Sequence, residues 1–220
     1  FCSLVFAFSC VTFQGSAQFE KDKARSRVLQ IDQLSLNANL SFEPQEGLVK
    51  GEVNIEFKNI SNNLDSIWLD AIKMKVGQAY LNRKTVSYKV FEKGIGFFPD
   101  FALAKDSVYK LALVFEASPK RGMYFLGWND TLDIERKQIW TQGQGIDNRH
   151  WLPHVDAQND KLICNLRISF NTGYEVISNG QLLNKKERDN QTIWQYKMQE
   201  PMSSYLMMIT IGEYDMLSET

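Results

Sequence analysis

The residues best equipped for chemistry lie close together, in Thr141-Gln142-Gly143-Gln144-Gly145-Ile146-Asp147-Asn148-Arg149-His150-Trp151-Leu152-Pro153-His154-Val155-Asp156. Gln142 and Gln144 are two apart, and in an extended segment side chains at i and i+2 share a face. Each amide offers one acceptor oxygen and two donor hydrogens. Aimed at a cleft, the pair suits the free amine of a peptide end; otherwise they are two surface glutamines. Arg149 and Asp156 supply a guanidinium and a carboxylate that can pair in bidentate fashion and hold the loop rigid, a structural role placed above catalysis. His150 and His154 have the i, i+4 spacing of two zinc ligands on a helix. Pro153 stands between them, and proline inside a helix removes a hydrogen bond and clashes with the turn before it. They are the only histidines in the chain. No metal site is expected here.

Other catalytic signatures are missing. No Gly-x-Ser-x-Gly occurs, and Gly143 and Gly145 lead into a polar loop rather than a helix. Asp147, Asp156 and Asp160 lack the spacing and closing glutamate of a calcium loop. The expectation is no catalytic residue, no metal and no cofactor within this chain.

The surrounding elements read as strands. Leu34, Leu36, Ala38, Leu40 and Phe42 alternate with polar residues, and Val53, Ile55 and Phe57 do the same after the turn Glu43-Pro44-Gln45-Glu46-Gly47. Period-two runs recur at Val86–Val90, Tyr109–Phe115, Cys164–Phe170 and Trp194–Met198. Asn179-Gly180 suggests a tight hairpin. The apolar run Tyr205–Ile211 suits a strand buried on both faces. No sustained helical period appears, so an all-β domain is expected, a saddle-shaped antiparallel β-sandwich or open barrel. Cys164 falls on an alternating apolar position and is expected to be a buried, inert thiol.

With 220 residues, 44% of them hydrophobic and 23% charged, the chain can build one large core. A net charge of −1 with scattered Lys and Arg argues against nucleic acid and anionic lipid as partners. Phe1–Phe13 is almost wholly apolar and is followed by Gly15-Ser16-Ala17. Residues 1–17 therefore read as a secretory signal incomplete at its start, too short to span a bilayer, with the mature protein periplasmic or secreted. Residues 18–27 read as a charged leader, 28–214 as the domain, and 215–220 as the start of a connection.

The order of residues in the loop resembles a known family. Thr141-Gln142-Gly143-Gln144, Arg149, Leu152-Pro153-His154, Asp156 and Lys161 follow the pattern of the aminopeptidase N-like zinc metallopeptidases, the group that includes aminopeptidase B and leukotriene A4 hydrolase. Gly122-Met123-Tyr124 and Pro201-Met202-Ser203-Ser204-Tyr205-Leu206 support the match, which runs from about Val28 to Tyr214. Asn148, His154 and Ala157-Gln158 depart from the family's usual Ala, Cys and Glu-Pro.

The resemblance implies a saddle-like amino-terminal domain packed on a thermolysin-like catalytic domain. It implies that Gln142 shapes the pocket for the first side chain of a peptide substrate and that Gln144 helps hold the free α-amine. Zinc, its His-Glu-x-x-His ligands and the Gly-x-Met-Glu-Asn loop would belong to that further domain. The implied function is substrate recognition for an exported zinc aminopeptidase, this chain alone being inactive. The competing reading is a stand-alone β-sandwich module that binds a peptide or another ligand without a catalytic partner.

Overall fold

The structure is a computed structural model that describes residues 28–215. The expected signal (1–17) and leader (18–27) lie outside the described residues, as do residues 216–220 of the expected connection. The described chain forms β1 (Ile31–Glu43), β2 (Leu48–Asn59), β3 (Ile67–Asp70), β4 (Lys75–Leu81), β5 (Lys84–Thr85), β6 (Ser87–Val90), β7 (Gly94–Phe98) and β8 (Val108–Ala117). It continues with β9 (Met123–Leu126), β10 (Gln138–Thr141), β11 (Lys161–Asn171), β12 (Glu175–Ser178), β13 (Gln181–Arg188), β14 (Gln191–Lys197), β15 (Met202–Ser203) and β16 (Ile209–Gly212). Three short 3-10 turns, Pro44–Glu46, Asp147–His150 and Ser204–Leu206, are the only helical elements among the described residues.

The strands make three sheets. The large one runs β13-β14-β11-β1-β2-β8-β4-β5, with β15 beside β11; the others run β12-β16-β10-β9 and β3-β7-β6. None closes into a barrel. Leu36 and Ile55 from the large sheet, Ile139 and Ile211 from the second, and Leu69 and Ile95 from the third join one buried apolar cluster. This is the expected all-β, sandwich-type domain, and the alternation that forms it is the one seen in the sequence: Leu111, Leu113 and Phe115 of β8 and Cys164, Leu166, Ile168 and Phe170 of β11 all point inward. Burial of Cys164 pushes its thiol up to about 12.

Four local expectations are corrected. The sheet is not purely antiparallel, because β1 and β11 pair in parallel from Ser35/Ile163 to Leu40/Ile168. The long segment before β11 supplies the crossover that a parallel pair needs. Leu34 is 37% exposed while Gln33 is fully buried, since the β1–β2 register shifts between Gln33 and Ser35. A bulge inserts one residue and so moves the residues before it to the other face. Asn179-Gly180 does not close a hairpin: β12 pairs with β16 and β13 with β14, and the turn carries the chain between sheets. The run Tyr205–Ile211 is not one strand, because a 3-10 turn covers Ser204–Leu206 and β16 starts at Ile209. Tyr205 and Leu206 are exposed.

Candidate functional site

β10 pairs with the edge strand β9 from Gln138/Leu126 to Thr141/Met123. The Gln142 amide donates to the Gly122 carbonyl at 2.9 Å, which carries the ladder one residue past the strand. The chain then turns through Gln144, Gly145 and Ile146 into the 3-10 turn at Asp147. Gln142 and Gln144 are both exposed, and neither side-chain amide hydrogen-bonds to a described residue. The strand alternation expected to aim the two amides one way covers Gln142 but not Gln144, which stands in the turn.

Beyond the glutamines, buried polar contacts fix the loop. Asn148, fully buried, donates from Nδ2 to the Ser204 carbonyl at 2.6 Å and accepts from Trp151 Nε1 at 2.8 Å through Oδ1. Its side chain fills the space beside Gly143, where an added Cβ would come within 2.3 Å of Nδ2. Glycine is therefore required between the two glutamines so long as Asn148 stays in place. Neither role was legible in the sequence, where Asn148 is only a departure from a pattern.

Arg149 and Asp156 are brought together, though not as a symmetric fork. Asp156 Oδ2 accepts from the Arg149 backbone N at 3.1 Å and from Nε at 3.4 Å, while Nη2 donates to the Asp156 carbonyl at 2.8 Å. A second carboxylate joins them: Asp70, at the end of β3, lies 3.5 Å from Arg149 Nη1 and accepts from the Asp156 amide at 2.8 Å. The remaining Asp156 oxygen accepts from Ser204 Oγ at 2.7 Å and lies 3.4 Å from His154 Nε2. Burial by itself would raise the Asp156 carboxyl, but His154, Ser204 and Arg149 outweigh it and hold the group at about 2. Asp70 does not stand out in the sequence, and Ser204 does so only as a member of the Pro201–Leu206 match, with no role attached. The acid closing the apolar strand Ile67-Trp68-Leu69 is the one available signal for Asp70.

The two histidines part company. His150 ends the 3-10 turn, half-buried, and desolvation lowers its pKa. His154 is fully buried in a bridge with Asp70, with Nδ1 2.8 Å from the Leu152 carbonyl. Among the described residues no group of three or more His, Cys, Asp or Glu is placed to hold a metal ion.

The far end of the loop is tied to β1. Gln33 donates through Nε2 to the Val155 carbonyl at 2.9 Å and to Asp160 Oδ2 at 3.1 Å, and accepts from the Val155 amide at 2.9 Å. Asp160 is pushed up to about 6, chiefly by burial, with Gln33 opposing and Asp32 adding to the rise.

The loop thus leaves a strand end with two exposed amides and is held at its base by buried polar contacts, and known proteins agree with the resemblance drawn from its residues. The Peptidase M1 N-terminal domain family matches residues 30–206. The chain belongs to this family. A leucyl aminopeptidase of Saccharolobus solfataricus is 24% identical over 184 residues, 80% of this chain and 21% of that protein. A probable aminopeptidase 1 of Sulfurisphaera tokodaii is 27% identical over 81 residues, 37% of this chain and 10% of that protein. The M1 zinc metallopeptidase of Deinococcus radiodurans shares the fold, with a TM-score of 0.73 at 17% identity over 83% of this chain and 42% of that one. This M1 domain thus spans about a fifth of its first curated relative and two fifths of that solved structure.

Proposed function

We propose that this M1 domain recognises the amino end of peptides on behalf of an exported zinc aminopeptidase, with Gln142 shaping the place of the first side chain and Gln144 holding the α-amine. The observation that carries the reading is the pairing of two exposed, uncommitted amides with a base of buried polar contacts through Asn148, Arg149 and Asp156. A side chain whose support is rigid loses less freedom on binding, and that is what a positioning contact needs. The Deinococcus enzyme has been solved with a Tyr-Ser-Ala substrate, which supports a peptide as the ligand class here.

Within the longer polypeptide the domain would pack on a catalytic domain that holds the zinc. There the metal supplies a polarised carbonyl and an activated water. Export is supported by the apolar Phe1–Phe13 and the small residues after it. Fractionation of cells making the full polypeptide tests this, and an entirely cytoplasmic protein would refute it.

The binding role is tested in the full polypeptide by kcat/KM on aminoacyl substrates and their amine-blocked analogues. Gln144→Ala removes a hydrogen bond to a charged group, worth roughly 1.5–3 kcal/mol, so kcat/KM for free-amine substrates should fall on the order of tenfold or more. Gln144→Glu should retain or improve activity, because a carboxylate attracts an ammonium more strongly. Gln142→Ala should reorder the preference among first side chains. An unchanged preference for the free amine in Gln144→Ala would overturn the assignment.

A further inference from the structure

Two rings stand along the strands from Gln142, and the resemblance gives neither of them a role. Tyr124 and Trp140 are direct cross-strand partners on β9 and β10, and their rings stack with centroids 4.6 Å apart at 30°. Both are half-buried, while Ile139, the residue before Trp140, is fully buried, so the stack lies on the outer face of the four-stranded sheet. The ladder bond from Gln142 to Gly122 keeps the backbone extended past Trp140. Gln142 therefore shares the outer face with Trp140, about 7 Å farther along the strand.

The position across from Gln142 has no side chain and can have none. Gly122 has φ +76°, and an added Cβ would stand 2.1 Å from the Asp147 carbonyl oxygen. The Asp147 backbone fills that position, so the outer face beside Gln142 is bordered by the aromatic stack along the strands and by the Asp147 carbonyl across from it. An amide alone discriminates weakly among apolar groups, whereas an aromatic surface rewards each added apolar contact.

We propose that the Tyr124–Trp140 stack is a specificity-determining wall for the substrate's first side chain, selecting peptides that begin with an aromatic or large aliphatic residue. The proposal rests on the reading that Gln142 borders the first side chain. The stack gives that side chain a flat, half-exposed surface to pack on beside the Gln142 amide.

The test uses the full polypeptide and compares kcat/KM for phenylalanyl, leucyl and alanyl substrates. Trp140→Ala should lower the phenylalanyl-to-alanyl ratio on the order of tenfold, the scale on which an apolar pocket discriminates. Trp140→Phe, which keeps a ring to stack, should retain most of the ratio. If Trp140→Ala does not fold, Trp140→Thr replaces it, as a residue suited to a strand. An unchanged ratio, or an equal loss on all three substrates, overturns the proposal. Gln144→Ala, scored on amine-blocked analogues, separates the two failures. If it abolishes the free-amine preference while Trp140→Ala leaves the ratio intact, only the wall is wrong; if neither has an effect, the loop is not the recognition element.

Discussion

The nine-stranded sheet and the segment Gln142–Asp160 share one apolar cluster but differ in how much of their order is polar. In the sheet, inward positions of β1, β2, β8 and β11 are almost all aliphatic or aromatic, and many interchangeable contacts share the work. The loop also buries Trp151, Leu152 and Val155 in the apolar cluster, but to these it adds a few polar side chains, Asn148, Arg149, Asp156, Asp70 and Gln33, each with named partners. Apolar burial is non-directional and tolerates imperfect fit, so a sheet core is robust to single changes of shape. Buried hydrogen bonds are directional, and removing one partner leaves the other unsatisfied out of water. The loop that carries the two exposed glutamines is the region that draws most on the directional means.

That contrast can be broken first at Asp156. Asp156→Ala strips the carboxylate from Arg149, Ser204 and His154 and leaves buried donors and a guanidinium without their partner. The expected loss is about 3–5 kcal/mol by chemical unfolding, the cost of breaking a buried pair from one side. A loss below about 1 kcal/mol would mean that the polar base is not what holds the loop.

The sheet side of the comparison is tested by two neighbouring leucines. Leu36 is fully buried and Leu34 is 37% exposed across the bulge. Leu36→Ala should cost about 2–5 kcal/mol and Leu34→Ala much less, a difference that melting curves of the two variants would resolve. Equal costs would put the bulge in the wrong place.

Asn148→Ala comes next, at about 1–3 kcal/mol, because the Ser204 carbonyl and Trp151 Nε1 lose their partner inside the protein. In the full polypeptide the same change should also weaken substrate recognition, since Gly143 would then border a void. Activity lost in proportion to the folded fraction alone would separate the loop's rigidity from its function.

The smallest effect is one of pH. The folded Asp160 carboxyl sits at about 6, above its ordinary 3.8, so its contribution to stability is complete below the ordinary value and is lost as pH rises through the folded one. Between about pH 5 and about pH 7 this amounts to on the order of 1 kcal/mol, with the protein more stable at the lower pH. Asp160→Asn should flatten that slope relative to the unsubstituted chain; parallel slopes would reject the protonated, Gln33-linked carboxyl.

Alternation with period two sufficed to determine the fold class, the β1–β2 hairpin over Glu43–Gly47 and the burial of Cys164, because each residue's face follows from its position in a strand. The order of residues from Thr141 to Lys161, taken together with Gly122–Tyr124 and Pro201–Leu206, pointed to the M1 family, which the match over residues 30–206 establishes. Sequence could not show which strands meet. The parallel β1–β11 pair, the bulge that buries Gln33 and exposes Leu34, and the split of Tyr205–Ile211 all depend on partners in other strands or another sheet. The same holds for the loop. Asp70 and Asp156 are 86 residues apart and Gln33 and Asp160 are 127 apart, so no local pattern links them. Side-chain periodicity is a property of one strand, whereas a buried polar contact is a property of two segments, and only the tertiary structure decides which two.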